Sequence, residues 1–491
     1  MISNFSSTQT SPSLHPDGKL NVFFACDTIP TDMSKKKNKK KSKHGSTASS
    51  QKCTTYSRLD YLAVLPGLLM CALTLMILLM DVLTPGMSRD QYTIYPALYR
   101  TAHAMIVACG ILFWILQLHR CDMQMLRPEP SCSRGHPLSQ TLYLLCFGLL
   151  LLWILISSCI NGFNDMTIHG VSFRNIGIFH LMAFFLFYMY LSSQIKRSSL
   201  RTALLMAFLA VADLVGLTTL YDQFIRSIPA FAQKKELSAI FFNGNHYGYF
   251  LVIAVLVGVG IFLSHPSHKL QVFGLISMLL NLAVLLLNHS LGCLLAVIIT
   301  MLGFLIVLLF ANRSAAQRLV FLFAFLAAFV VLGLILSSSL RNEFISLTHD
   351  LSRFSSKEDS DSIGHNRGLL WTFTWELISE RPLFGFGCEG ISDLLMAETG
   401  RANPHNELLN YAVSYGVPAA ILYLLGMVFV FITWIQRHIW LNAVSLTAAL
   451  GAFGYFLSSL VGVPMFYTEP FFFVMLGLSL SDSDHCSTCS K

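Results

Sequence analysis

The chain predicts an all-α polytopic membrane protein with about 12 transmembrane helices and a long, partly helical extracytoplasmic loop. Three observations carry this expectation. Of 491 residues, 54% are hydrophobic and only 12% are charged, whereas soluble domains carry about a quarter charged residues. The apolar residues are gathered into runs of about 20, the length that spans a hydrocarbon core with every backbone group paired inside the segment. One stretch, 339–416, interrupts the series with polar clusters, glycines and a helical pattern of its own.

In chain order, residues 1–60 come first and are a different material. They are rich in Ser, Thr and Lys, carry "SKKKNKKKSKHGS" at 34–46, and lack the apolar run of a signal peptide. They are expected to form a disordered basic cytoplasmic tail, its lysines fixing orientation against anionic headgroups. The formal charge of +7 comes mostly from this tail, and no aromatic or folded partner accompanies the lysines. Nucleic acid is therefore not an expected partner; the lipid bilayer is.

Spans follow at 61–83, 97–118, 139–160, 174–194, 200–222, 247–264, 270–287, 291–311 and 318–338, so that 61–338 holds nine. After the loop 339–416, three more at 417–435, 440–461 and 464–480 fill 417–480, and 481–491 is a short tail. With the N-terminus inside, the inner connections hold Arg120, Arg127 and Arg134, then Lys196, Arg197 and Arg201, then Lys269, then Arg313 and Arg318, then Arg437. Every inner loop is basic, which puts both termini on the cytoplasmic side of a multi-pass protein of the cytoplasmic (inner) membrane. Lys234 and Lys235, in an outer connection, run against the series.

Twelve cysteines make no disulfide framework once they are placed, because only Cys388 falls clearly outside. Cys486 and Cys489 have C-x-x-C spacing but no second pair and no histidine pair at ligand spacing, so no metal site is expected. Asp213, His180 and His103 fall inside spans, where a polar group is either functional or bonded to a packed neighbour helix.

The expected outer face collects four polar clusters from distant parts of the chain. Asn243 and Asn245 lie in "FFNGNHYGYFL" where the sixth span begins. Asn288, His289 and Ser290 form the hairpin in "LLNHSLGCLL". The loop adds "SIGHNRGLLWTFTWELISERPLFGFGCEG" at 362–390 and ends in "RANPHNELLNYAVSYG" at 401–416. Within the loop, Leu370, Phe373, Leu377 and Ile378 recur at helical spacing over about 366–380, with Trp371 and Trp375 as amphipathic rings, and Pro382 stops the helix. Gly385, Gly387 and Gly390 imply close backbone approach to packed neighbours or to a ligand. A second short helix near 391–398 should end at Gly400. A loop of this size with internal order is expected to be a functional lid.

The ordered set Asn243-x-Asn245, Ser290 with Gly292, Arg367 with Trp371, Pro382-Leu-Phe-Gly-x-Gly and Pro404-His405-Asn406 with Gly416 resembles the O-antigen ligase and polymerase superfamily over roughly 240–435. The resemblance implies an integral membrane glycosyltransferase of the GT-C type. Such an enzyme moves a glycan from a polyprenyl diphosphate carrier (undecaprenyl diphosphate in bacteria) to an acceptor hydroxyl on a saccharide, lipid or protein, in cell-surface polysaccharide biosynthesis. It uses no metal and no cofactor. The family's catalytic histidine falls on His405 and its loop arginine on Arg367. Many members carry an arginine directly after the serine of the seventh-span motif; here Leu291 occupies that place.

The chemistry of the residues agrees. Displacing a diphosphate from an anomeric carbon needs a base for the acceptor hydroxyl and fixed donors for the leaving group, and the planar guanidinium suits the second role. Arg353, in "LSRFSS", is the first candidate to replace the arginine absent at Leu291, ahead of Arg341, Arg226, Lys234 and Lys235. Asn243, Asn245, Ser290, Trp371 and Asn406 are candidates for substrate contact or for capping and turn formation. For the last helix of the loop, Asn403 is the expected cap, Pro404 and His405 lie in its first turn, and Gly416 ends it. The alternative reading is a lipid-linked glycan flippase or another multi-span transporter, to which Asp213 would be suited. Ligase, polymerase and protein O-oligosaccharyltransferase are not separated by these motifs.

Overall fold

A computed structural model describes residues 46–84, 94–125, 137–171, 174–232, 237–241, 243–336, 338, 341–342, 344–345, 363–463 and 465–481. Nearly all of the described residues lie in the compact unit Lys52–Lys491. The tail up to residue 45, Lys234, Lys235, Arg353, Cys486 and Cys489 lie outside the described residues.

The protein is all-α. Its elements are α1 (Ser46–Leu83), α2 (Ile94–Met125), α3 (Leu138–Asn161), the short α4 (Asp165–His169), α5 (residues 178–193), α6 (Ser198–Phe224), α7 (Gly244–Ser264), α8 (His268–Leu287), α9 (Leu291–Ala311) and α10 (Arg313–Leu336). The loop contributes α11 (Ile363–Glu380), α12 (Ser392–Thr399) and α13 (Glu407–Tyr415). The chain continues with α14 (Val417–Gln436), α15 (Ala443–Ser459) and α16 (Glu469–Leu480). Among the described residues nine helices are long and apolar enough to cross a membrane, and α5, α15 and α16 are shorter apolar helices. Twelve apolar helices therefore stand where twelve spans are expected, but three are shorter than the apolar runs that announce them. The fourth run begins with Arg174 in a turn and turns helical only at Ile178, with a π turn at Phe184–Met189. The last run opens with turn residues before Pro470, at the head of α16, sets the helix start.

The centre of the bundle is α7, buried almost throughout, with α8 and α15 along it. Contact is close because small residues meet: Gly258 of α7 and Gly274 of α8 face each other so tightly that a Cβ on Gly258 would lie 2.8 Å from the Gly274 carbonyl oxygen. Small residues at such crossings let helices pack where lipid gives them no hydrophobic drive to associate. A second pairing joins α3 to α14.

The polar groups placed in spans divide plainly. Asp213 of α6 accepts from Ser277 Oγ at 2.6 Å and Asn281 Nδ2 at 2.7 Å, both on α8, so it is a packed inter-helix hydrogen bond. His103 and His180 meet edge to face with ring centroids 4.8 Å apart, and Tyr188 Oη lies 3.3 Å from His103 Nδ1.

The loop is a folded layer against the ends of α3 and α14. Leu370, Leu377, Ile378, Ile391, Leu395, Ala412 and Val413 form its small core. Ser157 Oγ and Asn161 Nδ2 donate to the Phe384 carbonyl at 2.6 and 3.1 Å, and the Trp153 ring stacks on Phe384 at 5.3 Å. Gly416 ends α13 with φ +93, and a Cβ there would overlap the Leu383 carbonyl. Gly385 and Gly390 are likewise crowded by protein backbone. The glycines thus serve packing.

Candidate active site

The candidate site draws on the four polar clusters, which contacts join in two pairs. Asn243 caps α7, its side chain accepting from the Asn245 N–H at 2.7 Å. Asn245 Oδ1 in turn accepts from Ser290 Oγ at 3.4 Å. Ser290 stands at the N-cap position of α9, after His289 at φ +57 closes the hairpin. Asn288 Nδ2 donates to the carbonyls of Leu237 and Gly244 at 2.7 and 2.9 Å, tying that hairpin to the start of α7.

The loop is brought over these ends. Trp371 Nε1 donates to the Pro404 carbonyl at 3.0 Å, so the indole of α11 grips the segment before α13. Trp375, one turn further along α11, is instead 60% exposed. Arg367, one turn before Trp371, is half-buried and within electrostatic reach of Tyr249, Cys293 and His405. Its charge is therefore felt both at Cys293, in the first turn of α9, and at the imidazole.

His405 is held differently from the sequence expectation. Asn406 is the N-cap, its side chain accepting from the Leu409 N–H at 3.0 Å, and α13 starts at Glu407. His405 precedes the cap at φ +53, in the left-handed region. Asn403 caps no helix; its Oδ1 accepts the His405 N–H at 2.9 Å in a local turn. Two asparagines are open to the cap role, and the left-handed His405 between them goes with the choice of Asn406. His405 is consequently outside the helix, and what keeps its ring neutral is chiefly burial. Burial, then Arg367, Arg401 and Arg174, push its pKa down to about 4.

Three cationic side chains thus surround the imidazole, and they are not equivalent. Arg174, from the turn between α4 and α5, pairs with Glu389 through two N–H groups. Arg367 and Arg401 have no carboxylate partner among the described residues. Two uncompensated guanidinium groups beside a neutral ring make a place for an anion next to a base. Arg226 and Arg341 are exposed.

Several of these residues were not candidates in the sequence. Arg401, Arg174, Glu389 and His246, which senses both His405 and Arg174, carry no motif of their own. Glu407 is fully buried, and burial pushes its carboxyl up to about 7. Tyr423 and Ser459 are the hydroxyls near enough to influence it, although none donates to it at hydrogen-bonding geometry. Cys388, the cysteine expected outside, is free and buried, its thiol pushed up to about 12 by burial.

No curated protein matches the chain. The sequence model of the family described as O-Antigen ligase matches residues 276–424, from α8 through the hairpin, the loop and the start of α14. That interval contains Ser290, Arg367, Trp371, His405 and Asn406, so the match falls on the site. Over residues 276–424 the chain is thus similar to the O-antigen ligase family, within an all-helical architecture rich in helices apolar enough to cross a membrane.

Proposed function

We propose that this protein transfers a glycan from a polyprenyl diphosphate carrier to an acceptor hydroxyl on the outer face of the cytoplasmic membrane, as a metal-independent ligase or polymerase in cell-surface polysaccharide biosynthesis. The observation that carries the reading is His405, kept neutral and within electrostatic reach of Arg367 and Arg401, which have no carboxylate partner among the described residues. The acceptor oxygen forms a bond to the anomeric carbon while the bond from that carbon to the diphosphate oxygen breaks. The hydroxyl proton passes to a ring nitrogen of His405. The charge that grows on the departing polyprenyl diphosphate is taken by Arg367 and Arg401.

The same arrangement lets the donor prepare the base. Arg367 and Arg401 lower the His405 pKa in the empty site. A diphosphate between them offsets their charge, so the imidazole becomes more basic when the donor is bound. Asn245 and Ser290, at the facing helix ends, are the proposed polar contacts to donor sugar or phosphate. Asn243 and Asn406 are engaged as caps, and Trp371 holds Pro404. Arg401 is proposed for the role expected of Arg353, which lies outside the described residues.

A flippase draws no support from Asp213, whose two oxygens are bonded to α8. The test is transfer of a labelled glycan from polyprenyl diphosphate by purified protein in detergent, where there are no two sides to transport between. Product made by wild type and lost in His405→Ala supports the reading; no product from active-donor mixtures with any acceptor class refutes it.

A further inference from the structure

Arg174 and Glu389 lie 215 positions apart and meet in the interior. Arg174 Nε donates to Glu389 Oε1 at 2.7 Å, a second N–H reaches Oε2, and Ser392 Oγ joins both, 3.1 Å from Arg174 and 2.7 Å from Glu389. Their side chains are 5% and 4% exposed. Taking two charges out of water is unfavourable unless the geometry is good, and apolar packing of equal volume often serves stability as well. Glu389 is also a non-glycine residue at φ +60. Two unfavourable features therefore coincide at one contact, where the loop meets the turn before α5.

The contact is linked to the helix that follows His405 through backbone hydrogen bonds. The turn that carries Glu389 donates from the Phe386 and Gly387 N–H groups to the Val413 and Ser414 carbonyls, each at 2.9 Å. Those carbonyls belong to α13, whose cap follows His405 directly. On the other side, Arg100 Nε donates to Asn175 Oδ1 at 2.7 Å, fixing the backbone beside Arg174. The Arg174 charge is itself felt at His405 and His246.

We propose that Arg174 is a positioning residue for the transfer: clasped to Glu389, it docks the glycine turn of the loop onto α13 and so sets where His405 stands and how much positive charge it faces. This rests on the reading of His405 as the base. The test compares full-length Arg174→Gln, Glu389→Gln and the double variant by hydrogen exchange over residues 383–392 and by the pH dependence of transfer. Each single variant leaves one buried charge without its partner, so exchange in 383–392 should quicken and kcat should fall on the order of 10²-fold, the scale of a misplacement of about 1 Å.

The double variant places two amides face to face and guards against a single variant that does not fold. It should regain exchange protection while the acid limb of kcat/KM moves to higher pH, because the Arg174 charge is gone. Single variants with wild-type exchange and rate would overturn the proposal, as would a double variant with wild-type rate and an unmoved acid limb, which marks a merely structural pair. A wild-type protein that transfers nothing would instead sink the functional reading, and exchange would still report the clasp.

Discussion

Acidification should distinguish His405 from an ordinary histidine, and the expected size follows from its surroundings. With the ring pushed down to about 4, it is almost wholly neutral at pH 5.5, whereas an imidazole at about 6.5 is only about one-tenth neutral there. Transfer at pH 5.5 should therefore run about tenfold above what an unperturbed base would allow. The measurement is kcat and kcat/KM for purified protein in detergent between about pH 4 and 8, with polyprenyl diphosphate-linked glycan as donor. The kcat/KM profile reports the free enzyme and should keep its acid limb near 4; kcat reports the complex, in which diphosphate offsets Arg367 and Arg401, and its limb should lie higher. Arg401→Gln removes an exposed charge and should raise the kcat/KM limb while moving the kcat limb less. His405→Ala should lower transfer by about 10²–10⁴-fold. An acid limb of kcat/KM at about 6.5 in wild type, or one indifferent to both arginines, would refute the electrostatic account of the site.

Arg367→Ala should lower transfer strongly, and Arg367→Lys should recover only part of it, because a point charge lacks the two-pronged fork; equal rates in the two variants would exclude bidentate phosphate contact. Glu407 is raised to about 7 by burial, so its contribution to stability is present below its ordinary pKa and is lost as pH rises through about 7. Melting of the detergent-solubilised protein should fall across that range, and Glu407→Gln should flatten the dependence; an unchanged slope would mean the carboxyl is not the titrating group. A cysteine at Ser379, which is exposed on α11, should react with an impermeant thiol reagent from outside intact cells, and one at Ser199 should not. The reverse pattern would invert the topology on which the outer site depends.

What could be read in the sequence was whatever depends on local pattern. Long apolar runs mark α1 to α3 and α6 to α10. Of these, α1 begins at Ser46, 15 residues before the expected start at 61 and within the expected tail, and α2 runs on to Met125, 7 residues past the expected end at 118, because a helix continues beyond its apolar stretch. The helix of the loop, its stop at Pro382, the short helix ending at Gly400 and the end of α13 at Gly416 follow from periodicity and from residues with special backbone freedom. The start of α13 did not follow, because Asn403 and Asn406 satisfy the same capping rule and the choice of Asn406 goes with the left-handed backbone at His405. Arg174 fell at the edge of an apolar run and read as the beginning of a span; only its partner 215 positions away reveals it as a loop residue. Glu407 carries no signal of its own in the sequence, and only the packing of α13 shows that it is buried.

The distribution of matched and unmatched charge is the strongest guide to what the molecule does. Asp60 accepts the N–H groups of Lys196 and Arg197, Arg174 is matched by Glu389, and Asp213 is satisfied by Ser277 and Asn281. These groups hold helices and loops together. Arg367 and Arg401 break the pattern, and both stand beside His405. Uncompensated positive charge is tolerated where an anion will occupy the space, and a neutral imidazole at the same place has work only if a proton must be removed there. A passage for a lipid-linked glycan would need the first feature and not the second. Their coincidence at the mouth of α13, inside the interval that matches the O-antigen ligase family, favours a transfer reaction over a route across the membrane.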